Sequence, residues 1–137
     1  YIGHGYRFEL EGKTIAYTGD CGFTDSALKL AKNADLLICE CSNKSSTFSR
    51  KTLSLNSRVN PKKVLDKKTE DPDLWGHFDP VQAGTLAKKA NVKQLILTHF
   101  GAHLYTTLKD RKWAENQAKK IFPQTIAAFD GMEFELK

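Results

Sequence analysis

Apolar and polar residues alternate through Tyr6–Leu10 and again through Thr14–Thr18, with Glu11-Gly12-Lys13 between them. This pattern predicts a β-hairpin. The spacing then lengthens. Asp25–Lys32 ("DSALKLAK") carries its apolar residues one helical turn apart, and Thr24 or Asp25 supplies an N-cap. Ala34–Cys41 ("ADLLICEC") is a near-continuous apolar run, as in a strand buried on both faces. Residues 42–76 break the rhythm. They are rich in Ser, Asn and Lys and read as a long loop or insertion with one short helix near Pro61–Leu65.

Periodicity returns at Asp79–Ala90 ("DPVQAGTLAKKA"). Asp79 at the N-cap, Pro80 at the first helical position and Gln82 at the third form a capping box, which turns Val81, Leu86 and Ala90 inward. Val92–Phe100 ("VKQLILTHF") predicts a second buried strand. Residues 109–121 predict a helix with Trp113, Ala114, Ala118, Ile121 and Phe122 as its apolar stripe, stopped by Pro123. "TIAAF-DG-MEFEL" predicts a closing hairpin that turns at Asp130-Gly131. The order hairpin, helix, strand, helix, strand, helix, hairpin defines a layered α/β domain with mixed strand directions. In such sheets, ligands bind at the C-terminal edge of the strands.

Composition narrows this picture. A chain of 137 residues with 40% hydrophobic and 27% charged content suits one soluble globular domain. No stretch approaches the roughly 18 apolar residues of a membrane span, and "YIGHGYRFEL" has no secretory pattern. Three cysteines, Cys21, Cys39 and Cys41, make no disulfide framework, so a reducing, cytoplasmic setting is expected, with buried thiols. The net charge is +5, concentrated in Lys44, Arg50, Lys51, Arg58, Lys62, Lys63, Lys67 and Lys68 against Asp66 alone. A run of this kind is either a solvated loop or a field for a phosphate backbone. Phe48 is its only ring, so base stacking has little support there.

Asp20, Glu40 and His99 each stand at the end of an apolar run, and His77 precedes the capped helix. If the runs are neighbouring strands, Asp20, Glu40 and His99 meet at one edge, and the place of His77 just before the capped helix is compatible with the same edge. Carboxylates and imidazoles together suit a divalent metal such as Zn, Mn or Fe. Two ions ~3.5–4 Å apart can activate a water and clamp a phosphoryl group, while a His–Glu pair outside the ligand set hands a proton to a leaving group. Each residue also has a plainer role. Asp20 can cap the following helix, Glu40 can pair with a lysine, His77 can sit in a loop, and His99 can be a satisfied strand-end histidine. His4 is expected in solvent and His103 in the loop after His99.

Segments 17–42 ("YTGDCGFTDSALKLAKNADLLICECS"), 76–100 ("GHFDPVQAGTLAKKANVKQLILTHF") and 118–136 together resemble the second half of the metallo-β-lactamase fold, in its ribonuclease Z-like branch. The resemblance implies half of a four-layer αββα sandwich, a mixed sheet flanked by helices. It implies a metal-dependent hydrolase, cleaving phosphodiester bonds with a metal-activated water. Position by position, Asp20 in "TGD" matches the bridging metal carboxylate and His99 in "LTHF" the late metal histidine. Glu40 in "CEC" and His77 in "GHFD" match the pair that assists proton transfer to the leaving group. The implied cofactor is a divalent metal, two Zn ions in the family, with Mn or Fe as alternatives.

The His-x-His-x-Asp-His motif of the family's first half has no counterpart here, and the chain begins without Met inside a strand pattern. It is therefore expected to be the C-terminal portion of a longer protein, with residues 1–137 as one domain carrying a basic insertion at about 42–76. It is also expected to dimerise or to pair with the N-terminal half. His103 and Leu104 stand where transfer RNA-processing members carry Arg and Tyr, so the resemblance implies a phosphodiesterase in general rather than that one reaction. The competing expectation is a module that binds nucleic acid or assembles with partners, keeping the fold without chemistry. The basic insertion motivates it.

Overall fold

The computed structural model of the chain describes residues 3–44 and 76–136. Its elements run β1 (Tyr6–Leu10), β2 (Lys13–Tyr17), α1 (Asp25–Ala31), β3 (Leu36–Glu40), α2 (Pro80–Ala90), β4 (Gln94–Thr98), α3 (Leu108–Lys119) and β5 (Thr125–Ala127). The strands form one sheet in chain order. β1 and β2 are antiparallel, and every later pairing is parallel. The result is a mixed sheet flanked by helices, consistent with one half of an αββα sandwich.

Local chemistry accounts for the helix boundaries. Thr24 caps α1 by accepting from the Ala27 N–H. Asp79 and Gln82 form the expected reciprocal box at the start of α2, at 2.8 and 3.1 Å. Asn91 ends that helix in the left-handed region at φ 55°. Thr107 and Asp110 cap α3 in the same reciprocal way, so this helix starts at Leu108 and ends at Lys119. Ile121 and Phe122 therefore lie past its end, although Phe122 still packs on the core.

The sheet has two unlike faces. Ala16, Leu37, Cys39, Leu95 and Leu97 point one way, into a fully buried core with Leu86, Ala87, Ala114 and Phe78. Arg7 marks the same side, because its guanidinium reaches the Leu30 and Lys32 carbonyls at the end of α1. The alternate residues face away from the helices. Strand register aligns Tyr6 with Tyr17 and Ile38, and Phe8 with Ile15 and Leu36, on that opposite face. Tyr6, Phe8 and Leu10 are more than half exposed there. No helix among the described residues is long and apolar enough to cross a membrane.

The closing hairpin does not form. Thr125–Ala127 extends the parallel ladder instead, and the Ala128 N–H donates to the Leu97 carbonyl at 2.8 Å. Gly131 does turn the chain at φ 83°, but residues 132–136 join no strand. Phe129 and Phe134 stay exposed, and a two-stranded ribbon without a covered face is marginal. The expected short helix at Pro61–Leu65, like most of the basic insertion, lies outside the described residues.

Glu115 fastens α3 to the sheet. One carboxylate oxygen accepts from Lys112 and Lys119, both at 2.6 Å, and the other from the Ala127 N–H at 3.1 Å. Burial alone would raise its pKa, but the two lysines and the amide outweigh burial and lower it from 4.5 to about 2. A depressed carboxylate pKa gives stability that is complete above the unfolded value and fades as pH falls through the folded one. Glu115→Gln should therefore cost about 1–3 kcal/mol at pH 7. In urea denaturation of the full-length protein, that deficit should shrink between pH 4.5 and about 2. A deficit constant across this range would contradict the assignment.

Candidate metal and proton-transfer site

The parallel pairing of β2, β3 and β4 stacks their C-terminal ends, with Glu40 directly opposite Thr98. Asp20, Glu40 and His99 leave this edge. Gly19 makes the first turn. Its φ is +63°, and an added Cβ would collide with the His4 carbonyl, so only glycine fits between Thr18 and Asp20. Gly22 serves another purpose. A Cβ there would stand 3.2 Å from the Gly76 backbone, so the bare α-carbon lets the His77 segment approach the Asp20 loop. The capped start of α2 then fixes the chain just beyond His77.

Glu40 is fully buried. Its Oε1 accepts from His77 Nδ1 at 2.9 Å and from the Phe78 N–H at 3.2 Å, and its Oε2 accepts from the Ser42 N–H at 2.9 Å. Thr18 Oγ1 accepts from the Glu40 N–H at 3.2 Å and donates to the Gly19 carbonyl. Glu40 thus meets His77 rather than a lysine. Asn43 ties the same strand exit to the His77 and Phe78 carbonyls, through its side-chain amide and its backbone N–H.

Asp20 differs. Its Oδ1 lies 2.8 Å from His77 Nδ1, yet this buried oxygen accepts no hydrogen bond among the described residues. The ring N–H points at Glu40. A polar oxygen removed from water without a donor costs about 1–3 kcal/mol, and a bound cation would remove that cost. Asp20 does not cap α1, since Thr24 does. Asp20, Glu40 and His77 offer ligand atoms all within 4.8 Å of one another, a group that could hold one divalent ion. Oxygen and imidazole donors suit Zn, Mn or Fe.

His99 stands beside this group, with Nδ1 3.7 Å from Asp20 Oδ1 and its side chain 54% exposed. Its backbone is left-handed at φ 49°, a conformation costing about 1–2 kcal/mol outside glycine. Ser42 Oγ lies 2.9 Å from the His99 carbonyl and 3.2 Å from its Nδ1. Sequence reasoning passed over Ser42 and Thr18. A hydroxyl two residues beyond Glu40, and another two before Asp20, were the available signals. Burial pushes the Cys21 thiol up to about 11, aided by the Glu40 and Asp20 charges, so it is a neutral neighbour of the site. His4 and His103 are both exposed.

A mixed α/β sheet with carboxylates and imidazoles converging at its C-terminal edge defines a candidate metal-dependent site. Comparison with known proteins identifies the family. Residues 4–100 match the Beta-lactamase superfamily domain, and the chain belongs to the metallo-β-lactamase superfamily. It is 34% identical over 125 residues to "Ribonuclease Z" of Gemmatimonas aurantiaca, covering 91% of this chain and 32% of that protein. "Ribonuclease Z" of Archaeoglobus fulgidus is likewise 34% identical, with 91% and 33% covered. A crystal structure of the metallo-beta-lactamase fold protein YhfI from Bacillus subtilis superposes with a TM-score of 0.64 at 27% identity, over 94% of this chain and 42% of that one. The chain thus spans about a third of the length of these curated relatives. Its resemblance points to the ribonuclease Z-like branch. Family and cluster together support catalytic capacity.

The unpaired oxygen makes a prediction that needs no substrate. In metal-free full-length protein, Asp20→Asn should raise stability by ~1 kcal/mol, because Oδ1 is held out of water beside Glu40 without accepting a hydrogen bond. Thermal unfolding in chelator measures this. A fall in melting temperature would mean that Asp20 is already satisfied.

Proposed function

We propose that the protein is a metal-dependent hydrolase that cleaves phosphodiester bonds, and that this chain supplies part of its active site. The observation that carries the reading is the Asp20–His77–Glu40 contact, in which one buried carboxylate oxygen is satisfied and the other is not. In this reading Asp20 and His99 are metal ligands, to two Zn ions, with Mn or Fe able to replace them. A bound divalent ion supplies positive charge for a phosphoryl oxygen and acidifies a water. In this reading Glu40 is not a ligand, because it already accepts three hydrogen bonds, from His77, Phe78 and Ser42. It holds the His77 ring through Nδ1, which leaves Nε2 free to take up a proton from solvent and pass it to the leaving-group oxygen.

The names of the curated relatives support a nucleic-acid substrate, and the three free thiols support a cytoplasmic setting. The exposed Tyr6, Phe8 and Leu10 of β1 support pairing of this layer with a second one, from the rest of the protein or from a second copy.

Metal analysis and turnover of a phosphodiester by the full-length protein separate these roles. Asp20→Ala should lose metal together with at least ~100-fold in turnover; retention of both would overturn the reading. Glu40→Gln and His77→Ala should keep their metal while kcat falls by roughly 10²–10⁴. Loss of metal in Glu40→Gln would instead place Glu40 among the ligands.

A further inference from the structure

The geometry points to Ser42 as a positioning residue, one that fixes the tautomer of His99 so that Nε2 is the nitrogen offered to a metal. This rests on the proposal that His99 is a ligand. A half-exposed ring on a loop residue has few contacts to hold it. Asp20 Oδ1, at 3.7 Å, is too distant to be its hydrogen-bond partner. Among the described residues Ser42 Oγ is the polar atom within hydrogen-bond reach of the ring, and it touches both ends of the residue.

A serine hydroxyl has one proton. The carbonyl of His99, 2.9 Å away, can only accept, so the proton goes there. The Ser42 oxygen must then accept at Nδ1, 3.2 Å away, which places the ring proton on Nδ1 and the lone pair on Nε2. The same hydroxyl braces the left-handed backbone of His99. Meanwhile the Ser42 backbone N–H donates to Glu40 Oε2. One residue therefore sets the distance between the proton-transfer pair and the histidine ligand. Its hydroxyl serves His99 and its amide serves Glu40, so the two tasks can be separated by mutation.

Ser42→Ala removes the hydroxyl and keeps the amide, whereas Ser42→Thr keeps both. The first readout uses metal-free full-length protein. Nitrogen-15 NMR of the His99 ring should show the Nδ1–H tautomer in the wild type and in Ser42→Thr, and a shift toward Nε2–H in Ser42→Ala. The second readout is Zn titration. Ser42→Ala should bind about 10–100-fold more weakly, as when other outer partners of a ligating histidine are lost, and Ser42→Thr should recover most of that loss. An Nε2–H tautomer in the wild type overturns the proposal. So does an unchanged tautomer in Ser42→Ala, or equal weakening by both variants. If the wild type binds no Zn, the ligand assignment of His99 fails, while the tautomer measurement still decides the role of Ser42.

Discussion

A carboxylate taken wholly out of water must be surrounded by donors, and Glu40 organises the edge of this sheet by meeting that demand. Its donors come from three places: the ring of His77, the amide of Phe78 and the amide of Ser42. Satisfying one buried charge therefore joins the exit of β3 to the segment that opens α2. Removing any donor would leave part of the charge exposed to a low dielectric, so these segments are held together more firmly than loops usually are.

Asp20 is the counterpart. It reaches the same imidazole nitrogen, but the proton there is already committed. The two carboxylates differ in environment rather than in type, and the proposed division of roles, Glu40 as scaffold and Asp20 as metal ligand, rests on that difference. Gly19 and Gly22 make the arrangement possible, one by turning left-handed and the other by letting two backbones pass closely.

Much of this was legible in the sequence, because local chemistry dictates it. The apolar runs gave the central strands, Asp79-Pro80 with Gln82 gave the start of α2, and parallel pairing of the runs brought Asp20, Glu40 and His99 toward one edge. Other features are tertiary. "TIAAF-DG-MEFEL" has the alternation of a hairpin, yet its first half prefers the free edge of β4 and leaves its second half without a partner. Ser42 looked like the first residue of a polar loop. Only the fold reveals that it faces a histidine 57 positions later. That Asp20 and His77 share an edge was expected, but their direct 2.8 Å contact was not, since it depends on Gly22 and Gly76 meeting across the structure.

The strand order carries a consequence for how the site comes into being. Neighbours in the sheet are neighbours in chain order, so each strand adds to an existing edge without threading. The β3–β4 pairing nevertheless has to close over the long segment between Glu40 and Gln94, and loop closure of that length is slow compared with forming a hairpin or a helix. Ser42 meets His99 only when that step is complete. A metal held at this edge would therefore be captured late in folding, reporting on the finished sheet rather than guiding its assembly.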